Sequence, residues 1–146
     1  MNKTVTCSSI SFVRCVAISA TFFGALALAG LVQAAKLTLT GAGESPPVAT
    51  SASGTADITV GDDKSVSGSL TYSGMTATAS HIHTGAAGAN GPVIIPLQKS
   101  GDNGFAVPAG AKLTDAQYAA YKSGNLYVNV HSAAHPGGEI RAQLAP

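Results

Sequence analysis

Over most of the chain, apolar residues alternate with small polar ones in short runs separated by glycine- and proline-rich stretches. In Lys36-Leu-Thr-Leu-Thr40, Leu37 and Leu39 share one side of an extended segment, and Gly41 to Pro47 stops it. The runs Thr55 to Val60 and Ser65 to Tyr72 flank Gly61-Asp-Asp-Lys64, a polar connection that joins two antiparallel strands as a hairpin. Further runs at Thr78 to Thr84, Pro92 to Leu97, Gly104 to Val107, Asn125 to His131 and Gly138 to Leu144 bring the expectation to about eight strands, the pattern of an all-β sandwich or barrel. One segment departs from this period. Thr114 caps Asp115 to Lys122, Gln117 stands where a capping box needs it, and Gly124 ends a helix of about two turns. Tyr118 and Tyr121, three residues apart, seat that helix on the sandwich.

The first segment has a different character. Lys3 and Arg14 precede an uncharged apolar stretch from Val16 to Val32, which ends in Val32-Gln33-Ala34. This predicts a signal peptide over residues 1–34, cleaved between Ala34 and Ala35, with a β-sandwich domain over 35–146 exported to the periplasm or the extracellular space. Seventeen apolar residues also reach the lower limit of a membrane span, so a retained anchor is the rival reading; after cleavage no stable membrane insertion is expected. Cleavage removes both cysteines, Cys7 and Cys15, and leaves 6 basic against 7 acidic residues. Thiolate chemistry is then excluded from the mature chain.

Composition narrows the classes further. Only 10% of the 146 residues are charged and 5% aromatic, with 17 glycines, which excludes a coiled coil. No stretch gathers three basic side chains, so nucleic acid is not an expected partner.

Parity along the strands locates the candidate chemistry. If Ile82 enters the core, His81 and His83 project together from the other face, about 7 Å apart at the backbone. In Leu126 to His131, Val128 and Val130 face inward, and Tyr127, Asn129 and His131 outward. In Gly138 to Leu144, Ile140, Ala142 and Leu144 form the apolar side, leaving Glu139, Arg141 and Gln143 outward. Were these strands neighbours, His81, His83 and His131 would make a metal first shell suited to copper, with zinc possible. His135, in the turn Ser132 to Gly138, is either a fourth ligand or a side chain in solvent. Glu139 and Arg141 are expected in support, bonding an imidazole, each other or Glu44. Other chemistry finds no footing. Ser80 faces away from His81, Gly85 to Gly91 lacks the lysine and helix of a phosphate loop, and no carboxylate pair is assignable.

These segments resemble the CHRD (chordin) domain family: Leu39-Thr-Gly-Ala-Gly-Glu-Ser-Pro-Pro-Val48, His81-Ile-His-Thr-Gly85, Leu126-Tyr-Val-Asn-Val-His131 and Gly138-Glu-Ile-Arg-Ala-Gln143 occur in order across residues 36–145. The resemblance implies a Greek-key sandwich related to the copper/zinc superoxide dismutase fold, in which a His-x-His strand helps bind copper on the outer face. It does not extend to that enzyme's cysteine pair or bridging-histidine zinc loop, so a binuclear site and dismutation are not implied. At His135 many family members are expected to carry asparagine. In animals the domain sits within extracellular antagonists of growth factors.

The leading expectation is an exported copper-binding protein for storage or delivery, with His81, His83, His131 and His135 as candidate ligands and no catalytic residue assigned. The rivals are an extracellular interaction or matrix module with incidental histidines, its protein partner unknown, and a copper oxidoreductase with an open coordination position.

Overall fold

The computed structural model describes residues 36–146; the expected leader and its cleavage point lie outside the described residues. Nine strands form one antiparallel sheet: β1 Leu37–Thr40, β2 Ser53–Val60, β3 Val66–Ser73, β4 Ala77–Thr84, β5 Val93–Pro96, β6 Gln98–Lys99, β7 Gly104–Ala106, β8 Leu126–Ser132 and β9 Ile140–Leu144. Their spatial order is β5-β4-β8-β9-β1-β2-β3-β7-β6. The β2–β3 hairpin forms as its alternation predicts, in register from Ser53 opposite Ser73 to Val60 opposite Val66. Non-sequential neighbours (β4 with β8, β1 with β9, β3 with β7) are the crossovers of a Greek key.

The expected run Pro92 to Leu97 continues into a ninth strand, and this draws the sheet together. Only Leu97 separates β5 from β6, so one extended segment supplies both edges: its first half pairs with β4 and its second with β7. Leu97 is buried, and its N–H donates to the Ser80 carbonyl at 2.9 Å. Bringing the edges onto a single segment removes the long unpaired edge that invites association.

Parity delivers the core as read. Ile82, Val128, Val130, Ile140, Ala142 and Leu144 are all buried, joined by Leu39, Leu70 and Phe105 from the other half of the sheet. Each fully buried aliphatic side chain contributes about 1.5–3 kcal/mol. The helix α1 spans Asp115–Lys122 with both halves of its capping box made: Thr114 Oγ1 accepts from the Gln117 N–H at 3.2 Å, and Gln117 Oε1 accepts from the Thr114 N–H at 2.8 Å. Tyr118 and Tyr121 pack against the core, as their spacing predicts. No helix among the described residues is long and apolar enough to cross a membrane.

Candidate metal centre

The strand neighbours that sequence left open are settled by the β4–β8 pairing, which sets His81 opposite Asn129, His83 opposite Tyr127 and Ala79 opposite His131. His81 and His83 thus share a face with Tyr127, Asn129 and His131, while Ile82, Val128 and Val130 fill the opposite, apolar face. The ring centroids of His81 and His131 lie 4.8 Å apart, those of His81 and His83 5.6 Å, and those of His83 and His131 6.1 Å. One nitrogen from each ring falls within 4.8 Å of the other two.

Two rings are fixed by backbone carbonyls. His83 Nδ1 lies 2.9 Å from the Gly91 carbonyl and His131 Nδ1 2.9 Å from the Pro136 carbonyl. A carbonyl only accepts, so both rings carry their proton on Nδ1 and present the Nε2 lone pair. His131 Nε2 is met by His81 Nδ1 at 3.0 Å, whereas the buried His83 Nε2 has no partner. A buried polar atom left without a hydrogen bond is costly and calls for a physical reason.

This face is not open surface. His83 and His131 are buried, Asn129 and Arg141 are 1% and 2% exposed, and His81 and Gln143 are half-buried. Outward parity was right, but three connections cover the face: residues 41–52, 85–91 and 133–138. The first lies close because a Cβ at Gly43 would stand 2.5 Å from the Arg141 carbonyl oxygen, so only glycine allows the approach. It carries Glu44 into the buried layer. Gly138 makes the room: its φ is +130°, and a Cβ there would stand 2.4 Å from Glu44 Oε1 and 2.6 Å from Asn129 Nδ2.

Arg141 ties down the second connection. Nη1 donates to the Ala89 carbonyl at 3.1 Å and to Asn90 Oδ1 at 3.4 Å, and Nη2 to the Ala86 carbonyl at 2.9 Å and to Gln143 Oε1 at 3.1 Å. Its Cζ sits 3.4 Å from the Tyr127 ring centroid, and the His83 ring stacks on Tyr127 at 4.7 Å and 6°. Because β4 and β9 flank β8 on opposite sides, the phenol ring lies between imidazole and guanidinium. Gly91 is held at both ends, its N–H donating to the Tyr127 hydroxyl at 3.3 Å and its carbonyl accepting from His83.

Electrostatics disfavour the charged forms of His81 and His131. Burial, then the neighbouring His131 and His83, lowers the His81 pKa below its ordinary value. Burial likewise lowers that of His131, with His83 adding to the effect and the Pro136 carbonyl opposing it. Glu44 is held above the usual carboxylate range chiefly by burial, against the pull of Arg141, Asn129 and the Ser45 backbone. At Glu139 burial works against the charge, but hydrogen bonds from Ser132 and Thr50 and the nearby His135 outweigh it and hold the carboxyl low.

The expected supporting pair does not form. Glu139 Oε1 accepts from Thr50 Oγ1 at 2.7 Å, and Arg141 bonds neutral loop acceptors instead, because the covering connections reach these side chains first. His135 stands apart from the three-histidine group, half-buried at the edge of a cleft that it lines with Glu44 and Asn90. Tyr127, the Gly91 and Pro136 carbonyls and Gly138 had no assigned part in the sequence reading, and for the carbonyls no side-chain signal exists.

The three nitrogens could hold one metal ion. Binding at about 2.0–2.1 Å requires nitrogen pairs roughly 3.3–3.5 Å apart, a separation that lies between the observed 3.0 Å contact and the 4.8 Å limit. Neutral imidazoles with Nδ1–H held by carbonyls are the usual outer arrangement of metal-bound histidines.

The family model of the CHRD domain matches residues 35–144. No curated protein and no solved structure matches the chain.

Proposed function

The chain belongs to the CHRD domain family, and from that premise we propose that it is an exported protein that binds one transition-metal ion, copper in preference to zinc, through His81, His83 and His131. The observation that carries this reading is the buried, unpartnered Nε2 of His83, held toward two further imidazole nitrogens by a backbone carbonyl. An ion there would satisfy the one buried ring nitrogen among the described residues that lacks a hydrogen bond. Copper is favoured because divalent affinity peaks at copper and an all-imidazole set suits it.

The arrangement supports storage or delivery. His83 and His131 are buried and pinned by carbonyls, while half-buried His81 has no partner outside the cluster, so an ion enters and leaves on the His81 side. In family terms the domain fits an extracytoplasmic setting, reached through the leader expected over residues 1–34.

Copper titration of tag-free protein lacking residues 1–34, followed by electron paramagnetic resonance, tests the reading. A nitrogen-rich Cu(II) spectrum is expected, lost in both His81→Ala and His131→Ala. No binding tighter than millimolar by calorimetry, for copper or zinc, would overturn it and leave an extracellular interaction module.

A further inference from the structure

Arg141 is the most deeply buried cation of the described residues, and no carboxylate meets it. All four of its hydrogen bonds go to neutral acceptors: two loop carbonyls, the Asn90 side chain and Gln143. The ion pairs among the described residues, Lys64 with Asp115 and Lys112 with Asp63, lie elsewhere on the surface. Glu44 feels the guanidinium but makes no ion pair with it, and burial biases its carboxyl toward the neutral form. The three histidines add no negative charge. Arg141 is thus a fixed positive charge beside the site, stacked through Tyr127 onto the ring of His83, while the carboxylate of Glu139 on the same face is bonded to Thr50.

We propose that Arg141 sets the charge of the ion the site prefers, favouring Cu(I) over Cu(II) and other dications. This rests on the three histidines being a metal site. Repulsion from a fixed charge scales with the charge of the ion, so a dication feels twice what a monovalent ion feels. At a separation on the order of 10 Å and an effective dielectric near 20, each added unit of charge weakens binding about tenfold. Imidazole ligands bring no charge of their own to offset this, whereas carboxylate or thiolate ligands would. Arg141 touches no ligand ring and acts through the field, so it is a positioning and charge-setting residue.

The test measures Cu(I) and Cu(II) affinities separately, by competition with chromophoric chelators at pH 7.5 under anaerobic and aerobic conditions. Three variants are compared with the parent protein. Arg141→Gln removes the charge, Arg141→Lys keeps it but loses the forked contacts to the loop, and Asn90→Asp, at an exposed position whose Oδ1 already accepts from Arg141, sets a carboxylate against the guanidinium. The preference for Cu(I) over Cu(II) is expected to fall about tenfold in Arg141→Gln and in the same direction, by about threefold or more, in Asn90→Asp. For the one-electron couple a tenfold change is a fall of about 59 mV in potential. Arg141→Lys should stay within threefold of the parent. If Arg141→Gln does not fold, Asn90→Asp carries the expectation with the arginine in place. An unchanged preference in Asn90→Asp would overturn the proposal, as would a loss in Arg141→Lys equal to that in Arg141→Gln, since the residue would then only be holding the loop. A parent protein that binds neither ion would defeat the metal reading itself, whereas one that binds both with a preference insensitive to these variants would defeat this inference alone.

Discussion

His81 Nδ1 lies 3.0 Å from His131 Nε2, and the direction of that hydrogen bond follows from His131's other nitrogen. His131 Nδ1–H donates to the Pro136 carbonyl, so its Nε2 can only accept and His81 Nδ1 must donate. In the metal-free protein a proton thus sits between two ligand atoms. Binding requires it to leave Nδ1, and the other nitrogen of the half-buried His81 ring can receive it. We expect nitrogen-correlated NMR to find Nδ1–H tautomers at all three rings in the free protein and a switch to Nε2–H at His81 alone on adding Zn(II). A free His81 already in the Nε2–H form would contradict the assigned direction.

The same neutral cluster makes stability depend on pH. The folded protein lowers the pKa values of His81 and His131, so the unfolded chain binds their protons more readily. The stabilisation they give is complete above about pH 6.5 and is lost as pH falls through 6.5 toward their depressed folded values. Glu44 acts in the opposite sense: its raised pKa favours the neutral form, so its contribution is fullest at low pH and fades as pH rises from 4.5. Denaturant midpoints of Glu44→Gln, with that opposing trend removed, should fall more steeply from pH 8 to 5 than those of the parent. A His131→Gln protein should show a shallower fall. Copper affinity should weaken over the same range, because bound imidazoles must be neutral.

Gly138 is required twice over, by its φ of +130° and by the space its missing side chain leaves to Glu44 and Asn129. Gly138→Ala is expected to destabilise the domain by about 2 kcal/mol or more, from backbone strain and from displacing a buried carboxyl. Urea unfolding monitored by circular dichroism would show it as a lower midpoint at unchanged slope. Gly137→Ala, where a Cβ meets nothing within 4 Å, serves as the control and should be near neutral.

The contrast between those two neighbouring glycines marks what sequence could and could not reveal. Alternation placed Ile82, Val128 and Val130 in the core and so placed His81, His83 and His131 on one face, because side-chain parity is a local property of a strand. The capping box at Thr114 and Gln117 is local too, and α1 forms over the residues it predicts. The burial of the outward face is not local. It depends on Gly43 letting a loop press against β9 and on Arg141 gathering carbonyls from residues 86 and 89, contacts that span half the domain. The carbonyls that orient His83 and His131 leave no trace in side-chain identity. For the same reason the expected bond between Glu139 and Arg141 gave way to Thr50 on one side and the loop on the other.

Tyr127 links the loop to the site, so its hydroxyl should matter to binding more than to folding. Tyr127→Phe keeps the ring between His83 and Arg141 and loses only the acceptor for the Gly91 N–H. One weak bond of 3.3 Å costs about 1 kcal/mol of stability at most. Yet Gly91 also orients His83, and loss of such outer support reduces metal affinity about 10- to 100-fold in known sites. Calorimetric titration with copper should show a loss toward the lower end of that range. Unchanged affinity would mean that the His83 ring is held by packing on Tyr127 alone.

Metal removal separates the three clustered histidines from the fourth. An ion that binds only the folded chain at 100 times its Kd adds about 2.7 kcal/mol, which for a domain of this size raises Tm by about 10 °C. The rise should vanish on adding a chelator and return when excess metal is restored. His83→Ala removes the nitrogen that lacks any other partner, so its Tm should not respond to metal. His135 stands outside the cluster, and its backbone, not its ring, closes the turn: the His135 carbonyl accepts from the N–H groups of Ser132 at 3.4 Å and Gly138 at 3.1 Å. His135→Ala should therefore keep the full metal-dependent rise. If it loses the rise while His83→Ala keeps it, the ion is held at the cleft beside Glu44 and not between β4 and β8.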